Sequence, residues 1–187
     1  MYGYWEEIAI AAAMGVEHAT EPDHIVAMRL IKPRSDMLRF GLLHGVGFLL
    51  LSVPLALAVI EVGLKLDYID VVEVVGDLVG IGFAALLLYS SLMDKEIEIS
   101  AGGSGLAQGA LSVTPSKLLV LIMAITSGVY EGTIVLLTFT IASSAVMPVI
   151  GVLASKVPTN LTRALDVTLG AAALLFFLTL ILRIRIL

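Results

Sequence analysis

The sequence predicts an all-α membrane protein with six transmembrane helices, arranged as two inverted three-helix repeats whose first helices are broken at proline. Three observations lead there. Of 187 residues, 59% are hydrophobic and only 14% charged, with mean hydropathy +1.04, whereas soluble domains carry about 25% charged residues. The apolar residues come in runs of roughly 20, the length that crosses a bilayer as a helix. Punctuating residues recur at nearly one offset: Pro22 and Pro115 are 93 apart, while Pro54 and Pro148, like Gly76 and Gly170, are 94 apart.

The first predicted span, 6–31, opens behind Tyr2, Tyr4 and Trp5, which suit an interfacial aromatic belt. No basic stretch precedes it, so no cleaved signal peptide is expected. The second span, 38–61, carries His44 and Pro54, and the third, 70–93, carries Asp77. A charged stretch, Asp94-Lys95-Glu96-Ile97-Glu98, then begins a linker over 95–104 that separates repeat 1 (1–94) from repeat 2 (105–187). Gly102-Gly103-Ser104-Gly105 reads as a flexible connection; it lacks the Lys-Ser/Thr of a phosphate loop. Spans four and five are expected at 105–127 and 129–155. Residues 116–155 contain no loop-like gap, and forty helical residues would reach about 60 Å, twice the hydrocarbon thickness. The chain must turn back, and Thr126-Ser127-Gly128 is the expected place. The sixth span is expected at 163–185.

Three spans per half is an odd number, so the second half must run opposite to the first, as in many transporters. With the amino terminus outside, Arg29, Lys32, Arg34, Arg39, Lys95, Lys156 and Arg163 fall on the cytoplasmic side of the cell membrane, and Lys65, Arg183 and Arg185 outside. That bias follows the positive-inside rule. The chain has no cysteine, which excludes disulfides, thiolate metal sites and dithiol relays. Net charge is −5 with no basic patch, which excludes nucleic acid as a partner. The lipid bilayer and a small ion are the expected partners, and a narrow bundle of 19.8 kDa is compatible with a homo-oligomer.

The chemistry concentrates in His18-Ala19-Thr20-Glu21-Pro22-Asp23-His24, inside the first span. A charge at the bilayer centre costs roughly 2.5–3.5 kcal/mol on insertion scales, and such residues usually face a cavity, a partner or an ion. On an unbroken helix His18 and His24 would sit about 120° apart in azimuth. Pro22 lacks an amide hydrogen and clashes with the carbonyl of residue 18; it is expected to free that carbonyl and let the segment swing. Pro115 should free the Leu111 carbonyl likewise. Paired broken helices point to a binding site near the midplane. His44 is the only other histidine. Imidazole nitrogens suit nickel, cobalt, zinc and copper, so His18, Asp23, His24 and His44 are the candidate metal ligands.

Around them, Glu17 and Glu21 are candidates to line a wet cavity, and Asp77 to act as a relay. Ser112, Thr114 and Ser116 would bond freed carbonyls or line the path. Lys117 stands where the repeat places the counterpart of His24, and is expected to pair with Glu21 or Asp23. Glu131 and Asp166 are expected to be solvated near an interface. Met14, Met28, Met123 and Met147 read as packing.

His18-x4-Asp23-His24 in a transmembrane helix, followed by Leu43-His44-Gly45 in the next span, resembles the nickel/cobalt permease family and its small urease-accessory, UreH-like members. The resemblance covers the first two spans. It implies a secondary transporter of Ni2+ or Co2+ in which His18, Asp23 and His24 are required for transport; Zn2+, which imidazole also suits, is a further candidate substrate. No further cofactor is implied. No ATPase motif is present, so an ion gradient, the membrane potential or downhill flow would drive it. A second reading is an exporter of a small anion or amino acid on the same plan, with Lys117 touching substrate. An intramembrane metal-dependent hydrolase is a third; the H-E-x-x-H spacing it would carry is absent, and no enzyme activity is expected.

Overall fold

The computed structural model describes residues 3–63, 69–112 and 114–184. Tyr2, Lys65 and Arg185, and the side chain of Arg183, which entered the interface and charge expectations, lie outside the described residues. The described chain is helical almost throughout: α1 Tyr4–His18, α2 Pro22–Leu30, α3 Met37–Val62, α4 Ile69–Met93, α5 Ala101–Leu111, α6 Pro115–Ser127, α7 Val129–Ala154 and α8 Thr159–Ile184. Among the described residues, three stretches are long and apolar enough to cross a bilayer: Arg34–Glu61, Val129–Ala154 and Leu161–Leu182. A fourth forms if α5 and α6, bent by 57° at their interruption, count as one broken span. At 15 and 9 residues, α1 and α2 are each too short alone.

The outside of the bundle is greasy. Leu38, Leu42, Leu50, Ile141, Leu175 and Leu182 are all exposed, while His18, Asp23, His24, His44, Gln108, Ser112 and Lys117 are buried. This reverses the distribution of a water-soluble bundle and marks a membrane protein. The apolar faces of α3, α7 and α8 need lipid in the way a soluble helix needs a core.

Both predicted breaks exist, but proline does not crack a continuous helix. Pro22 and Pro115 each occupy the first turn of a new helix, where a missing N–H costs nothing because that donor has no intrahelical partner anyway. The His18 carbonyl is not freed, as was expected: it accepts a hydrogen bond from the Glu21 amide at 3.1 Å. The expected turn between spans four and five is present, with Gly128 at φ +86°, a conformation that favours glycine.

The expected glycine linker is instead helical. α5 begins at Ala101, with the Ser100 hydroxyl accepting from the Gly103 amide at 3.4 Å. The glycines serve packing. A methyl on Gly105 would collide with the Phe40 carbonyl, and one on Gly109 with that of His44, so α5 lies directly on the backbone of α3. Gly15 of α1 meets the Phe139 carbonyl of α7 in the same way. Gly15 and Gly109 are 94 residues apart, the same offset as Pro54 and Pro148.

At one end of the bundle Ser127 donates to Glu7 at 2.8 Å. At the other, Arg29 forks both oxygens of Asp166 and donates to the Ala154 carbonyl. Asp166 is therefore not a solvated interface group, as was expected, but a tie between α2, α7 and α8. Beside it Lys32 and Glu96 make an exposed pair at 2.8 Å, and that ammonium holds the Glu96 carboxyl below its ordinary range. Glu131 is exposed, in agreement with expectation.

Candidate metal centre

The site forms where the two interruptions meet α3. His18 is the last residue of α1, and Asp23 and His24 lie in the first turn of α2, so both rings flank the break at residues 19–21. Their centroids are 4.3 Å apart, edge to face. His44 enters from α3, held close by the bare backbone contact at Gly109. His18 Nε2 and His24 Nε2 lie 3.2 and 3.3 Å from His44 Nε2. The three residues offer ligand atoms within 4.8 Å of one another. All three rings are at most 1% exposed, and Phe139 and Phe40 wall them at centroid distances of 5.1 and 6.0 Å.

The far nitrogens face acceptors. His18 Nδ1 is 2.7 Å from Glu21 Oε2, and His24 Nδ1 is 2.8 Å from Asp23 Oδ1, the latter misaligned for a hydrogen bond. Carboxylates can only accept when ionised, which places the ring hydrogen of neutral His18 on Nδ1 and leaves a lone pair on its Nε2. The Nε2 atoms of His18 and His24 both lie against that of His44, and a cation between the nitrogens would accept a lone pair from each neutral ring.

The carboxylates are held from the second interruption. Asp23 Oδ2 accepts from Gln108 Nε2 at 3.0 Å and Ser112 Oγ at 2.9 Å. Ser116 Oγ donates to Glu21 Oε1 at 2.6 Å and stands 2.9 Å from His18 Nδ1, with Thr114 Oγ1 3.1 Å from Ser116. Glu21, Asp23 and His24 form a second group with metal-ligand spacing. Ser112, Thr114 and Ser116 thus bond site carboxylates and each other; none of them is given over to freed carbonyls alone.

Lys117 does not pair with Glu21 or Asp23 in the way expected. Its ammonium donates to the carbonyls of Gln108, Gly109 and Ser112 at 3.0, 3.1 and 2.7 Å, and it sits 5.8 Å from the Phe48 ring centroid. These carbonyls lie at the end of α5, and that of Gln108 also accepts from the Ser112 amide at 3.0 Å, so Lys117 reinforces the end of the helix that precedes its own. Glu17 points outward from α1 and is exposed. Asp77 is buried in α4 but belongs to neither metal-spaced group.

Gln108 was missed in the sequence. It is the only glutamine in the chain and falls in an apolar helix, a signal of the same kind as the histidines, though weaker because an amide carries no charge. The residues fit a transition metal by donor type, burial and supporting carboxylates: this is a membrane-like helical protein with a His/Asp/Glu cluster able to bind a metal ion. No family model matches the chain, and no curated protein or solved structure matches it.

Proposed function

We propose that this chain is a secondary transporter for a divalent transition-metal ion, Ni2+ or Co2+, built as six spans in two inverted halves. His18, His24 and His44 bind the ion through Nε2. Glu21 and Asp23 orient two of those rings from behind, the arrangement that fixes tautomer and direction in metal sites. The observation that carries the reading is the spacing of the nitrogens. Metal–nitrogen bonds of about 2.0–2.1 Å put neighbouring nitrogens about 3.3 Å apart at tetrahedral angles and about 2.9 Å apart at right angles. The two edges that meet at His44 Nε2, 3.2 and 3.3 Å, fall in that range.

The paired interruptions, the tie of Glu7 to Ser127 and the repeated glycine contact at Gly15 and Gly109 support the two-half plan. The anion-exporter reading has less support, because all three Lys117 donors are occupied by backbone carbonyls. Calorimetric titration of the purified protein with Ni2+ tests the site. One ion should bind to the wild type and none to His18→Ala/His24→Ala, and affinity should fall as pH is lowered, since each ligand must be neutral to bind. Equal binding by the two proteins overturns the reading. Proteoliposomes with a trapped metal-sensitive dye test transport itself.

A further inference from the structure

At the Arg29–Asp166 end of the bundle lies a cavity of about 520 Å³, bounded by α2, α4, α7, α8 and the segment after α4. Met28 of α2 and Met37 of α3 line it, each only 2% exposed. Opposite them α7 presents Gly151. A methyl built on Gly151 would stand 2.8 Å from Met37 Sδ and 3.0 Å from Met28 Sδ. Two sulfurs from different helices therefore converge on one bare patch of backbone beside an open cavity. Met28 follows His24 by one helical turn, about 6 Å along α2.

Methionine ordinarily fills irregular gaps in a core. Packing alone explains a buried methionine, but it does not call for two thioethers aimed at one point next to polar space. Thioethers are uncharged, need no deprotonation and select soft ions such as Cu+ over hard cations. Of the cations that line the cavity, Arg29 is neutralised by both Asp166 oxygens and Lys32 by Glu96, while Arg34 and Arg163 donate to backbone carbonyls and Lys95 to the Tyr89 hydroxyl. We propose that Met28 and Met37 form a second, soft-cation site at the floor of this cavity, suited to a monovalent ion of the Cu+ or Ag+ type and distinct from the three-imidazole cluster one turn deeper.

Ag+ is the probe, added to the full chain in detergent and followed by calorimetry and by X-ray absorption at the silver edge. Wild type and His18→Ala/His24→Ala should both show a silver–sulfur shell. Met28→Leu/Met37→Leu should lose that shell and bind the corresponding ion at least tenfold more weakly. Gly151→Ala keeps both sulfurs but fills the point they share, and should weaken the site in the same direction. A wild-type protein without a silver–sulfur shell overturns the proposal even if the leucine pair fails to fold, and so does a shell that survives the leucine pair. The imidazole reading fails separately, through Ni2+ binding that ignores His18→Ala/His24→Ala.

Discussion

The two interrupted helix pairs share a backbone plan and carry opposite chemistry. α1–α2 and α5–α6 each stop for three residues, and each resumes on a proline. The first interruption gathers acceptors and ligands: Glu21, Asp23 and two imidazoles. The second gathers donors: Ser112, Thr114, Ser116 and Lys117, with Gln108 just before it. Ser112 and Gln108 donate to Asp23, and Ser116 to Glu21, so the second break satisfies the first. The first break leaves its imidazole nitrogens able to take a cation, whereas the second has a cation built into the chain. A buried polar network in lipid must be completed from within, and here each half completes the other.

The largest expected effect follows from the built-in cation. Lys117→Leu strips the Gly109 and Ser112 carbonyls of their shared donor and leaves that of Gln108 with the Ser112 amide alone. Unpaired buried polar groups cost about 1–3 kcal/mol each, so the loss should be on the order of 3 kcal/mol, read as a shift of the unfolding midpoint in a mixed-micelle titration. The donors Ser112 and Gln108 move with the end of α5, so Ni2+ binding should weaken too. A stability change below about 1 kcal/mol would mean that helix packing, not the ammonium, holds the second break.

Asp23→Asn comes next and separates a positioning residue from a ligand. If Asp23 acts by fixing His24, Ni2+ affinity should drop about 10–100-fold, the usual effect of a disrupted supporting carboxylate, with one ion still bound. Complete loss of binding, equal to that of His24→Ala, would place Asp23 directly on the metal. Gln108→Ala should move affinity the same way by less, because Ser112 still holds the same Asp23 oxygen.

Much of this contrast was legible before any coordinates. The histidines and acids stood out because charge is costly in an apolar run, and the break positions followed from two prolines at matching places. The turn at Gly128 followed from a run too long to cross once. What the sequence hid was direction. The role of Lys117 depends on which carbonyls lie within reach of a flexible side chain, and attraction to the acids is only one option open to an ammonium. Asp166 looked solvated because Arg29, its partner, is 137 residues away. Gly102-Gly103-Ser104-Gly105 looked like a linker because glycine is a poor helix former in isolation; close contact with the α3 backbone at Gly105 and Gly109 reverses that preference.

The smallest expected effect concerns the prolines themselves. Proline in a helix interior costs about 3 kcal/mol, which is why it reads as the cause of a break. Pro22 and Pro115 sit at first-turn positions, where the ring matches the helical φ and no hydrogen bond is lost. Replacing either with alanine restores a free N–H and loosens the unfolded chain, so stability should fall by only about 0.4–1 kcal/mol. The Glu21 amide on the His18 carbonyl, the Ser116–Glu21 bond and the three Lys117 bonds remain to hold the geometry. Ni2+ affinity of Pro22→Ala should therefore match wild type within a few-fold. A protein that keeps its fold but loses the ion would show the opposite order of cause: the ring imposes the break, and the polar network merely follows it.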